Sequence, residues 1–157
     1  MSAKKVMVGD IKCGADDLFL ISGPCVIEDE MVMMKTAAKV KEQFGFTLLT
    51  DIHYPDHAAP VAEVCDVLQI PAYLCMQSGL MVAAAKTGKV VNIKHGQFLA
   101  PDNMKHPVGK CVATGNDQII LTERGYTMGY NDLVVDPRSF YHLSNLGYPV
   151  VFDITHS

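Results

Sequence analysis

Six short β-rich or apolar runs, DLFLIS, FTLLTDI, CDVLQI, KVVNI, DQIILT and YPVVFDI, recur along the chain with longer helix-type stretches between them. Strands that alternate with helices of two to four turns point to βαβ units and a parallel sheet. The pattern predicts an α/β chain of about six parallel strands. The intervening helices carry their own signals. Glu28, Asp29 and Glu30 open EDEMVMMKTAAKVKEQFG, where negative charge suits the positive end of the helix dipole, and Gly45 stands where that helix should stop. PDHAAPVAEV starts after Pro55, SGLMVAAAKTG closes at Gly88, and DPRSFYHLSNLG closes at Gly147. KVMVGDIKCG alternates around Gly9-Asp10 and predicts a small hairpin covering one end of the sheet. Nothing low in complexity interrupts the alternation, so residues 1–157 read as a single domain. Met31, Met33 and Met34 read as core filler on the first helix.

Composition excludes several classes. Hydrophobic residues make up 49% and charged residues 19% of 157, a balance that suits a globular chain with a sizeable core. The net charge is −4 and the basic residues are scattered, so nucleic acid is not expected as a partner. No apolar run approaches the roughly 18 residues of a membrane span, and MSAKKVMVGD lacks the apolar segment of a secretory leader. A cytoplasmic protein with no membrane partner is expected. The five cysteines, Cys13, Cys25, Cys65, Cys75 and Cys111, include no CxxC pair, which argues against a disulfide framework or a zinc knuckle.

Polar residues gather at or just after the strand runs: Cys25, Asp51 and His53, Gln69, Asn92 with Lys94, Glu123 with Arg124, and Asp153 with His156. In parallel α/β folds ligands bind at the carboxyl ends of the strands, so six segments would feed one site. Solvent exposure alone also concentrates polar residues at strand ends. Cys25 reads as a small buried hydrophobe or, with a lowered pKa, as a metal ligand or nucleophile. Lys94 and Arg124 read as a phosphate clamp or as snorkelling surface cations. His53, His57, His95, His106 and His142 show no ligand spacing and read mostly as surface residues.

The segments SGPCVIE, LLTDIH, PVAEVCDVLQIPAYL, AAAKTGKVVNIKHGQFLAP, ILTERGYTMGYNDLVVDPRS and FDITHS, in this order, resemble the 3-deoxy-D-manno-octulosonate 8-phosphate synthases over nearly the whole chain. GPCxIE is shared with the sister 3-deoxyheptulosonate 7-phosphate synthases, whereas QIPAYL with NIKHGQF favours the octulosonate branch. The resemblance implies a (β/α)8 TIM barrel, here incomplete. It implies a cytoplasmic transferase of lipopolysaccharide biosynthesis, a homo-oligomer, that condenses phosphoenolpyruvate with arabinose 5-phosphate and releases phosphate. In that reaction the enol carbon of phosphoenolpyruvate attacks the sugar aldehyde, and water adds before phosphate leaves. Lys94 and Asp51 match catalytic positions, while Lys94, Gln97 and Arg124 match substrate-binding ones. Cys25 and His156 match metal ligands of the metal-dependent class, for which zinc, iron or manganese suits mixed thiolate and imidazole ligation.

Departures from the family accompany the resemblance. A second strand and a loop of the KASFDKANRSS type, which serve both substrates, are absent, and MMKTAAK runs straight into VKEQFG as though two helices were fused. The last strand of the family, with a glutamate and an aspartate of the metal site, has no counterpart up to Ser157. Met76 and Gly79 replace an arginine and an aspartate, and His95 replaces a lysine. A closed barrel of this kind takes about 250 residues, so a partial barrel with weak metal binding is expected. The alternative function is a catalytically inactive remnant that at most binds phosphoenolpyruvate or phosphate, or a relative of the heptulosonate enzymes.

Overall fold

The computed structural model describes residues 3–23 and 30–157. The chain first reverses at Gly9-Asp10: β1 (Val6–Val8) and β2 (Ile11–Cys13) pair antiparallel with Val8 opposite Ile11, as the alternation predicts. One continuous helix, α1 (Glu30–Phe44), then covers the stretch in which two family helices were expected to be fused. Elements alternate from there: β3 (Leu49–Asp51), α2 (Ala58–Val64), β4 (Val67–Ile70), α3 (Ser78–Lys86), β5 (Val90–Lys94), α4 (Lys105–Val112) and β6 (Ile119–Glu123). A hairpin of β7 (Tyr126–Met128) and β8 (Asp132–Val134) precedes α5 (Arg138–Ser144) and β9 (Val150–Phe152). Gly45, Gly88 and Gly147, read as helix stops, all adopt positive φ beyond their helices.

The five parallel strands stand side by side in the order β3-β4-β5-β6-β9. That order follows the chain and never reverses. A doubly wound sheet has a reversal point and helices on both faces, whereas strands added always on the same side put every crossover helix on one face. Residues of α2, α3, α4 and α5 accordingly share one core with Leu68, Ile70, Val91, Ile93, Ile119 and Leu121. This is the wall of a partial (β/α) barrel.

Alternate strand residues face the other way. Val67, Val90 and Ile120, with Leu49 and Val151 beside them, pack against Val6, Val8 and Cys13 of the hairpin. Most of these sit at the amino ends of their strands. The hairpin therefore stops the amino end of the concave face, and the carboxyl end is left for chemistry.

Three expectations need correction. DLFLIS does not join the sheet: Leu18 to Gly23 carry no strand, and Leu18 and Leu20 are 101% and 83% exposed. A parallel strand needs a neighbouring ladder, and without the family's second strand this run has none between itself and β3. Five strands, not six, thus form the parallel sheet among the described residues. Met31 is exposed on the outer side of α1, while Met33 packs against the core. The stretch KHPVGKCV, for which no helix was expected, is α4. Pro107 lies in its first turn, where a missing N–H removes no helical hydrogen bond.

Candidate functional site at the carboxyl rim

On the concave face, above the apolar layer that meets the hairpin, the strands present Asp51, Gln69, Asn92 and Thr122. Their register places Asp51 beside Gln69 and Gln69 beside Asn92. The side chains join in one hydrogen-bonded row. Gln69 Nε2 donates to Asp51 Oδ1 at 2.7 Å, Asn92 Nδ2 donates to Gln69 Oε1 at 2.7 Å, and Thr122 Oγ1 donates to Asn92 Oδ1 at 2.8 Å. A carboxylate only accepts, so Asp51 fixes the direction of every bond in the row.

Nearer the rim, Lys94 and His156 both meet Asp153, which follows β9. Lys94 Nζ at the end of β5 lies 2.8 Å from Asp153 Oδ2, and both side chains are only 12% exposed. Burial opposes ionisation of Asp153, but hydrogen bonds from Lys94 and His156 outweigh it and hold its carboxyl at about 2. The same carboxylate meets His156 Nδ1 at 2.8 Å. Carboxylate contact on Nδ1 orients the ring, as carboxylates do behind metal-binding histidines. Arg124, which follows β6, donates through Nη2 to the backbone oxygen of His156 at 2.6 Å.

Beneath Arg124 lies a buried cluster. Glu123 Oε1 accepts the backbone N–H groups of Arg124 at 2.9 Å and Gly125 at 2.6 Å. Its other oxygen stands 3.3 Å from His95 Nδ1, with both side chains at zero exposure. His95 Nε2 donates to the Leu99 carbonyl at 2.6 Å, and Tyr126 packs edge-on against the ring. Burial opposes ionisation of Glu123, yet contacts from His95, the Gly125 N–H and Ser139 hold its carboxyl below the usual value. Desolvation and the Glu123 charge push the Tyr126 hydroxyl upward.

A cavity of about 240 Å³ opens beside this turn, lined by residues that include Tyr73, Gln97, Arg124 and Thr127 and the segment of the β7–β8 hairpin from Tyr130 to Leu133. Gln97 is 4% exposed, and its Oε1, like Arg124 Nε, is buried without a hydrogen-bond partner. One unused acceptor and one unused donor thus belong to side chains that line the same cavity.

The expected site residues separate accordingly. Lys94 and His156 are brought together through Asp153, Arg124 is tied to the His156 backbone, and Gln97 joins Arg124 at the cavity. Asp51 stands on the edge strand β3, tied to the others only through the polar row. Cys25 lies outside the described residues. Among the described residues no group of three or more His, Cys, Asp or Glu side chains is placed to hold a metal ion. His95, expected at the surface, is fully buried by α4's approach loop, Tyr126 and Glu123. Four of the cysteines, Cys13, Cys65, Cys75 and Cys111, are buried free thiols, and burial pushes the Cys111 thiol up to about 11. The β7–β8 hairpin went unread in the sequence, although Gly129 at its tip and the alternation around it were visible.

Comparison with known proteins bears on what such a rim serves. The profile of the DAHP synthetase I family matches residues 33–157, which include every strand of the parallel sheet. The chain belongs to the DAHP synthetase I family. Within this family it is 47% identical to a 2-dehydro-3-deoxyphosphooctonate aldolase of Geotalea uraniireducens over 198 residues, covering 98% of this chain and 73% of that protein. Aldolases of the same description from Trichlorobacter lovleyi and Geotalea daltonii are 46% and 45% identical with the same coverage. The match spans 198 positions and the chain has 157 residues, so at least 41 matched positions of the relative have no residue here. A family member with a missing internal stretch would align in this way.

Proposed function

We propose that this family member is an octulosonate-phosphate synthase in plan: it takes phosphoenolpyruvate, arabinose 5-phosphate and water and forms 3-deoxy-D-manno-octulosonate 8-phosphate and phosphate. The observation that carries the reading is the meeting of Lys94 and His156 on Asp153, with Arg124 tied to the His156 backbone and lining the adjoining cavity beside Gln97. Phosphoenolpyruvate brings a carboxylate and a phosphate, and two cations at neighbouring strand ends suit it. Lys94 is a point charge already shared with Asp153, so it can turn part of its hydrogen bonding to a ligand without losing all its partners. Arg124 offers a planar fork, one arm of which is held by the His156 carbonyl. Gln97 supplies the neutral acceptor and donor that would orient the enol portion. Asp51, two strands away, is assigned to the sugar side of the face.

A divalent metal belongs to the same reading. His156 fits a ligand role, because Asp153 contacts Nδ1 and orients the ring, and Cys25 is the thiolate that sequence supplies. When bound, such a metal would act as a Lewis acid on a carbonyl oxygen. Two protein ligands are fewer than a stable site generally uses, so binding is weak. A homo-oligomer in the cytoplasm, serving lipopolysaccharide biosynthesis, completes the proposal. Among the described residues no helix is long and apolar enough to cross a membrane.

A second reading is favoured by the 41 or more unmatched positions: binding of phosphoenolpyruvate without turnover. Without an anchor for the sugar phosphate, orientation is lost, and orientation can supply roughly 7–11 kcal/mol of a barrier. Phosphate release from phosphoenolpyruvate, with and without arabinose 5-phosphate, decides between them when paired with calorimetry. Sugar-dependent release supports the synthase. Heat of binding without release supports the second reading, and neither signal refutes both.

A further inference from the structure

The Glu123–His95 pair sits outside the cavity, yet it is joined to Arg124, which lines it. Glu123 spends one carboxylate oxygen on two successive backbone donors, Arg124 N–H at 2.9 Å and Gly125 N–H at 2.6 Å. Those two peptide groups form the turn from which the Arg124 side chain leaves the sheet. The turn is tightly specified. Gly125 has φ of 89°, a left-handed backbone, and a Cβ there would lie 3.3 Å from the Val134 carbonyl oxygen. A carboxylate with no solvent access needs a cationic or donor partner on its remaining oxygen. The group facing Glu123 Oε2 is His95 Nδ1, 3.3 Å away on the residue directly after Lys94, and neither of these two buried atoms has a hydrogen-bond partner elsewhere among the described residues. Ser139 of α5 and the Tyr126 ring close the remaining sides.

We propose that Glu123 and His95 are positioning residues for Arg124: the buried pair fixes the Arg124-Gly125 turn and thereby aims the guanidinium at an anionic ligand. His95 Nε2 is committed to the Leu99 carbonyl and Nδ1 faces the carboxylate, so another cationic side chain should serve at position 95 and a neutral one should not. The two strand ends that carry Lys94 and Arg124 are then coupled underneath the site as well as across it. This inference rests on the reading that Arg124 binds phosphoenolpyruvate, but its first test does not.

The first test is amide hydrogen exchange in the full chain, read by NMR at Arg124 and Gly125 against Leu121 in the same strand. Replacing a charge-assisted hydrogen bond by a neutral one in Glu123→Gln should speed exchange at the two turn amides by about tenfold while leaving Leu121 unchanged. Unchanged protection at Arg124 and Gly125 would overturn the proposal, as would equal acceleration at all three. The second test is calorimetry with phosphoenolpyruvate itself. His95→Gln should weaken binding by about tenfold, and His95→Lys should restore it to within about threefold of the wild type, which a purely space-filling role would not do. Equal weakening by both His95 variants would overturn the role given to charge. If the wild type binds no phosphoenolpyruvate while the turn amides respond, the functional reading fails and the positioning of the turn stands. Should Glu123→Gln fail to fold, His95→Lys against His95→Gln carries the exchange test, with protection retained in the first and lost in the second.

Discussion

Asn92 is the link on which the polar row depends, and Asn92→Leu is the substitution that tests it. Leucine nearly matches asparagine in size, so packing changes little while both hydrogen bonds disappear. Asn92 is 1% exposed and Thr122 3% exposed, so the Thr122 hydroxyl loses its acceptor where water cannot replace it. Gln69 is half-buried, and solvent can repair part of its loss. A buried polar group left without a partner costs about 1–3 kcal/mol. Two orphaned groups, one partly repaired, set the expected destabilisation at about 2–4 kcal/mol, against a total stability on the order of 10 kcal/mol. Urea unfolding followed by far-UV circular dichroism gives the number. With a slope of about 2 kcal/mol per molar, the midpoint should fall by about 1–2 M at unchanged slope. Thr122→Val should cost about 1 kcal/mol or somewhat more by itself. In the double variant the second change removes the orphan created by the first, so the two losses should fall short of additive by about 1 kcal/mol. A loss below about 1 kcal/mol for Asn92→Leu, or strict additivity, would refute the idea that the row is one coupled unit.

Arg124→Ala should abolish the heat of phosphoenolpyruvate binding, and an unchanged isotherm would remove Arg124 from the site. Glu123 titrates below its usual value in the folded chain, so its contribution to stability is complete above pH 4.5 and is lost as the pH falls further through its folded-state value. Urea midpoints measured between pH 6 and pH 3 should therefore drop more steeply for the wild type than for Glu123→Gln; parallel profiles would count against the buried pair. Metal bound after purification should leave on dialysis against a chelator, with Cys25→Ala holding less from the start, and one tightly retained metal per chain would show that a third ligand exists.

Much of the architecture is legible locally. The βαβ rhythm, the hairpin at Gly9-Asp10 and the helix stops at Gly45, Gly88 and Gly147 each depend on a few adjacent residues. Glycine at positive φ and a change of hydrophobic period need no distant partner to be recognised. The cluster of polar residues after the strands was legible for the same reason: a parallel sheet puts all its carboxyl ends on one side. The run DLFLIS had the right composition for a strand and failed to become one, because a ladder requires a neighbour that composition does not reveal.

Tertiary structure alone decided what each polar residue does. In sequence, His95 is one of several histidines without ligand spacing, yet the turn after β5 carries it into contact with Glu123 at zero exposure. Asp153 and His156 are three residues apart, but the tie from Asp153 to Lys94 joins positions 59 residues distant and depends on β5, β6 and β9 lying side by side. The meeting of Asp51, Gln69, Asn92 and Thr122 in one row likewise follows from register across four strands. Sequence sets the period and the turns because these are short-range properties of the backbone. Burial, charge partners and hydrogen-bond direction are properties of pairs, and only the folded sheet brings the members of each pair together.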